Sequence, residues 1–225
     1  MTRTTNARLA GFTYLFYIAV AFPSMVLFNR ATSAEGIVAK LAGIAEHASD
    51  VRIAILLSVL TCFAAPVLAV TLYAITRDED HELALLALTC RVGEGVLSAV
   101  YVIETLGLLW LATAGGAAAP DAAAAHALGE FLLKAQSWTV TISATFFSVG
   151  SALFSYLLLR GRMVPVPLAW LGVVASVLLV VGLPAQLVGF LTGSVGVFMW
   201  LPMLVFEVTL ALWLLIKGVA AHPTR

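Results

Sequence analysis

Five residues in one apolar run, Arg91, Glu94, Ser98, Tyr101 and Thr105, are of the types that hold ions or pass protons. They step by three, four, three and four positions. On a helix turning about 100° per residue they therefore form one narrow stripe. Glu104 lies beside that stripe, and Glu207 is a further acid set in apolar sequence. A guanidinium can hold a carboxylate through its fork. Two carboxylates against one arginine leave a surplus negative charge, which asks for a shared proton or another donor. Tyr14 and Tyr17 are candidate donors. Such a set could serve an ion or proton pathway or a polar ligand site. Equally, it could be a buried ion pair that fixes helix register.

The elements that must carry these groups follow from composition. Of 225 residues, 62% are hydrophobic and 11% charged, with a mean hydropathy of +1.05. Soluble domains carry about 25% charged residues, and a folded chain in water needs more polar surface than this one can supply. Lipid is the solvent the sequence implies. Apolar runs at 9–28, 53–75, 83–112, 137–159, 166–190 and 197–216 are each long enough to span a hydrocarbon core of about 30 Å. In that medium every backbone donor must be paired within the segment or in a closed barrel. Unbroken runs of this length lack the alternation of barrel strands. The sequence predicts an all-α, polytopic transmembrane bundle of six spans, forming one integral membrane domain over 1–225.

With a rise of about 1.5 Å per residue, Arg91 and Glu94 lie about 13–18 Å from the end of their span near Glu82. Glu207 is about 15 Å from Lys217 on the same measure. The three charges can share a layer near the midplane. An unpaired charge there costs about 2.5–3.5 kcal/mol, so the stripe is expected to face inward.

Lysine and arginine near the helix ends set the orientation. Arg3, Arg8, Arg77, Arg160, Arg162, Lys217 and Arg225 fall on one side; Arg30, Lys40, Arg52 and Lys134 fall on the other. The bias predicts both termini in the cytoplasm. Arg3 and Arg8 before Ala19-Val20-Ala21 resemble a signal peptide, but the apolar run continues through Met25–Phe28, so a retained first helix is expected. On the outer side, Thr32 and Glu35 have capping-box spacing. They precede Ile37, Val38, Leu41 and Ile44, which predict a short amphipathic helix at the interface. Pro120-Asp121 opens an alanine-rich stretch, in a patch near 117–125, with Leu128, Phe131 and Leu132 on one face. It reads as the extramembrane start of the fourth helix.

Pro23, Pro66, Pro184 and Pro202 lie in or near spans, where proline can kink a helix. Ala144, Ser148, Ser151, Ser155, Gly172 and Ser176 have spacing that suits close helix packing. Cys62 and Cys90 both sit in apolar runs and are expected to be free thiols that pack as small hydrophobes. The acidic turn 77–82 lacks calcium-loop spacing and is expected to be solvated. His47, His81, His126 and His222 are scattered in loops and ends, and there is no HExxH, GxSxG or P-loop. Gly193-Ser194-Val195-Gly196 is a turn between spans. No catalytic residue, cofactor or metal is assigned. Balanced charge, twelve basic against twelve acidic, offers nucleic acid no basic face. The bilayer is the expected partner, and the sequence is compatible with a bound small molecule or ion and with a homo-oligomer.

Arg8-Leu9-Ala10-Gly11, Arg91-x-x-Glu94, and Phe146-Phe147-Ser148-Val149-Gly150 through Leu158-Leu159-Arg160-Gly161 resemble one bacterial membrane family, domain of unknown function 4386. Val164-Pro165 and Leu171-Gly172-Val173 extend the likeness over about 8–216. The resemblance implies a multi-pass membrane protein and carries over no catalytic residue. Arg91 and Glu94 match the charged pair on its third helix. Arg162 and Pro167 look local to this chain and leave the start of the fifth helix open. Three functions stay open: a small-molecule or ion transporter or ligand-binding membrane protein using the stripe, a non-catalytic membrane component with structural charges, and an intramembrane enzyme.

Overall fold

The structure is a computed structural model and describes residues 2–115, 120–191 and 195–220. His222, Arg225, Gly193 and Ser194 of the expected 193–196 turn, and residues 117–119 of the alanine-rich patch lie outside the described residues, and Val195 and Gly196 of that expected turn are helical instead. The helices are α1 (Arg3–Ala31), α2 (Ile37–Glu46), α3 (Ala48–Thr76), α4 (His81–Thr113), α5 (Ala122–Arg160), α6 (Val166–Leu187), α7 (Val195–Phe198) and α8 (Leu201–Ile216). No strand occurs among the described residues. Five of these helices, α1, α3, α4, α5 and α6, are long and apolar enough to cross a membrane, and α8 is a shorter apolar helix. The all-helical fold expected from the apolar runs is the one observed.

Hydroxyls within these helices close onto their own backbone. Thr13, Thr71, Thr76, Thr89, Thr105 and Thr113 each donate to the carbonyl four residues earlier, at 2.7–3.0 Å. A threonine in an apolar run therefore costs little in lipid, because its proton has an acceptor in the same helix.

The chain forms two compact units. One comprises residues 1–17, 63–95 and 141–225. Its core joins Ala7, Ala10 and Tyr14 to Leu68, Leu72, Phe154, Leu179, Phe206 and Leu210. Gly172 lets α6 approach closely here: a Cβ at that position would fall 2.6 Å from Oγ of Ser155 and onto the ring of Phe206. The small residues of α5 and α6 thus work as packing surfaces.

The other unit comprises residues 18–62 and 96–140, with Phe28, Leu41, Ile44, Val51 and Leu108 in its core. Here α2 is the expected amphipathic helix, burying Leu41 and Ile44. A Cβ on Gly129 of α5 would meet Ile37 at 2.8 Å, so that glycine seats α2. Ser24 of α1 joins α3 through the Ala54 carbonyl (2.9 Å) and the Ser58 hydroxyl (2.8 Å).

Several expectations are corrected. Thr32 and Glu35 form no capping box: α2 starts after Gly36 without a side-chain cap, and the Thr32 hydroxyl returns to the Phe28 carbonyl of α1. Val38 is exposed, as are Leu128 and Phe131; the inward face of early α5 runs through Gly129, Leu132 and Gln136 instead. The fifth span, α6, starts at Val166, with Pro165 as its cap and Pro167 in the first turn, where a missing N–H costs nothing. It ends at Leu187 rather than 190. Gly189, at φ 84, takes the left-handed position, while Phe190 N–H and Gly189 N–H bond back to Ala185 and Gln186. The last helix starts at Leu201 rather than 197, and Pro202 lies in its first turn instead of kinking it. Its 16 residues reach about 24 Å. One expectation holds: Asp121 starts α5 by accepting the Ala124 N–H at 2.8 Å, so the alanines from 122 onward are the beginning of that helix.

Candidate functional site

Along α4 the polar stripe turns inward. Arg91, Glu94 and Thr105 are buried and Ser98 and Tyr101 half-buried, while Val92, Val96, Val100, Ile103 and Leu106 on the opposite side are exposed. Exposed apolar residues on one face and polar residues on the other invert the pattern of a soluble helix. That inversion is what lipid demands.

Arg91 is 1% exposed and Glu94 2%. Nη1 of Arg91 stands 2.9 Å from Oε2 of Glu94 as an ion pair one turn apart. The other carboxylate oxygen, Oε1, accepts the Tyr17 hydroxyl of α1 at 3.0 Å. Ser143 of α5 donates to the Glu94 backbone carbonyl at 3.2 Å. The guanidinium lies over the Phe147 ring, its Cζ 4.6 Å from the centroid, a cation–π contact that gains strength away from water. Phe147 in turn stacks on Trp200. Nε of Arg91 is enclosed and has no hydrogen-bond partner among the described residues.

Glu207 of α8 enters the same electrostatic neighbourhood: Arg91 interacts with Glu94, Tyr14, Glu207 and Tyr17. Glu207 is half-buried and makes no ion pair or hydrogen bond among the described residues. The layer therefore holds one cation and two carboxylates, of which Glu94 is tied and Glu207 is not.

The remaining candidates belong to the other unit. Glu104 is 8% exposed. Its Oε1 accepts the Thr139 hydroxyl at 2.8 Å, and its Oε2 is enclosed without a hydrogen bond among the described residues. Gln136 of α5 donates to Thr105 at 2.8 Å, and Tyr101 packs edge-on against Phe28. Sequence reasoning missed Gln136, Thr139, Ser143 and Phe147. Their only signal was helical spacing on α5, from 136 and 139 to 143 and 147, because none carries a charge.

Among the described residues no group of three His, Cys, Asp or Glu side chains could hold a metal. Cys62 and Cys90 are free thiols. In the acidic turn, Asp80 caps α4 by accepting the Leu83 N–H at 3.2 Å and pairs with Arg160 at 3.1 Å.

A family model described as "Domain of unknown function (DUF4386)" matches residues 9–218, nearly the whole chain. No curated protein and no solved structure matches it.

Proposed function

The chain belongs to the DUF4386 family, and from that premise we propose that it is a membrane carrier or receptor for a small ion or polar solute, with Glu207 as its exchangeable group. One observation carries this reading. Glu207 is half-buried and unpaired among the described residues, yet within electrostatic reach of Arg91 and Glu94. An ion pair kept only for register needs one arginine and one glutamate. The second carboxylate is surplus, and charge balance in a low-dielectric layer asks for a proton or the cationic end of a solute beside it. In this reading both termini face the cytoplasm, in line with the bias of Lys and Arg.

A second reading has its own support. Arg91 and Glu94 are sealed from solvent and pair within one helix, which suits a non-catalytic membrane component whose charges fix register. The two readings divide the site between them: the pair is the frame, and Glu207 the working group.

The test is flux into proteoliposomes under a potassium diffusion potential, with protons, sodium and tetramethylammonium offered in turn. Wild-type protein is expected to pass at least one of them and Glu207→Gln to lose it. Equal flux in both proteins removes the carrier, and no flux together with equal thermal shifts of wild type and Glu207→Gln by the three cations removes the receptor as well.

A further inference from the structure

A second site lies where α1 begins and the α3–α4 turn closes. Arg3, Asn6, Ala74, Arg77 and Asp78 line a cavity of about 350 Å³. Arg3 makes no ion pair or hydrogen bond among the described residues, and its Nε is enclosed. Asn6 is 8% exposed; its backbone N–H donates to the Thr2 carbonyl at 3.0 Å, while its side-chain amide makes no hydrogen bond among the described residues. Arg77 stands 3.8 Å from Asp78, and both are more than half exposed, so that pair is weak. The lining carries two guanidiniums against one carboxylate.

An enclosed guanidinium nitrogen without an acceptor is unfavourable. That nitrogen, the exposed fork of Arg77 and the Asn6 amide around one cavity match the oxygens of a phosphate, which arginine holds through parallel hydrogen bonds. Position adds to this. The cavity sits at helix ends, the depth at which lipid phosphates lie beside membrane helices, and the positive end of the α1 dipole is close by. We propose that this cavity binds an anionic phosphate group. A phospholipid headgroup and free phosphate share that chemistry, and the inference does not depend on Glu207.

The test uses the full chain in neutral detergent, titrated with phosphatidylglycerol, phosphatidylcholine or inorganic phosphate, with the thermal midpoint as readout. Phosphatidylglycerol or inorganic phosphate is expected to raise the wild-type midpoint, and the double variant Arg3→Gln/Arg77→Gln to bind about tenfold more weakly or worse. A response to phosphatidylglycerol alone assigns a lipid headgroup, and an equal response to inorganic phosphate assigns a free anion. Arg8→Gln, exposed on the same helix outside the lining, should respond as wild type does. Should the double variant not fold, Arg77→Gln alone at its exposed position gives the same comparison. The proposal fails if neither phosphatidylglycerol nor inorganic phosphate raises the wild-type midpoint, if phosphatidylcholine acts as well as phosphatidylglycerol, if the arginine variants keep the full response, or if Arg8→Gln loses it equally.

Discussion

A Cβ on Gly150 of α5 would lie 2.8 Å from Cγ and 3.0 Å from Cδ of Arg91 on α4, so the space left by the missing side chain is filled by the buried arginine stem. The carbonyl of Ala87, at 3.2 Å, closes the other side. Neither neighbour is a free side-chain end. Gly150→Ala should therefore lower the thermal midpoint in detergent: overpacking costs about 1–3 kcal/mol, against about 1 kcal/mol of helix propensity gained. An unchanged or raised midpoint would show that Arg91 does not need this space.

Breaking the sealed pair should cost more than removing it. Arg91→Met leaves Glu94 buried without its cation, a loss of about 3–5 kcal/mol in buried pairs. Arg91→Met/Glu94→Gln removes both charges and should recover much of that loss. Denaturation of the four proteins of this cycle measures the coupling. Strictly additive effects would contradict the 2.9 Å contact.

Close packing of α6 makes a separate prediction. Gly172→Ala drives a methyl onto the Phe206 ring and toward Ser155 Oγ, so it should destabilise by about 1–3 kcal/mol. Shortening the ring with Phe206→Leu in the same chain should give part of it back. Thermal midpoints of single and double variants decide, and a double variant no better than the sum of the singles would refute the proposed contact.

Glu104 has one oxygen served by Thr139 and the other enclosed without a hydrogen bond among the described residues. Removing a charge from the bilayer interior saves up to about 2.5–3.5 kcal/mol. Glu104→Gln should thus match or exceed wild-type stability, whereas Thr139→Val, which strips the remaining donor, should fall below it. A thermal melt of both variants checks this, and a strongly destabilised Glu104→Gln would mean that the carboxylate has a cationic partner.

Much of this arrangement was legible in the sequence because charge in an apolar run is costly wherever it occurs. That cost singled out Arg91, Glu94, Glu104 and Glu207, and counting helical rise put Arg91, Glu94 and Glu207 in one layer. Tyr17 was one of two candidate donors, and the structure settles its hydrogen bond to Glu94. Ser143, Thr139 and Gln136 stayed hidden because neutral hydroxyls and amides are common in membrane helices and usually close on their own backbone. Gly150 could not be read, since its role depends on where a side chain from another helix passes. Helix ends went wrong for local reasons: Gly189 ends α6 through a left-handed turn, and Pro202 opens α8.

Water is expected to reach Glu207 but not Glu94, and cysteine accessibility reads this out. In a Cys62→Ala/Cys90→Ala background, Glu207→Cys and Glu94→Cys would be exposed in vesicles to a small charged methanethiosulfonate. Rapid labelling is expected at 207 and little at 94. Protection at both positions, or equal labelling, would contradict it and leave the charges with a structural role alone.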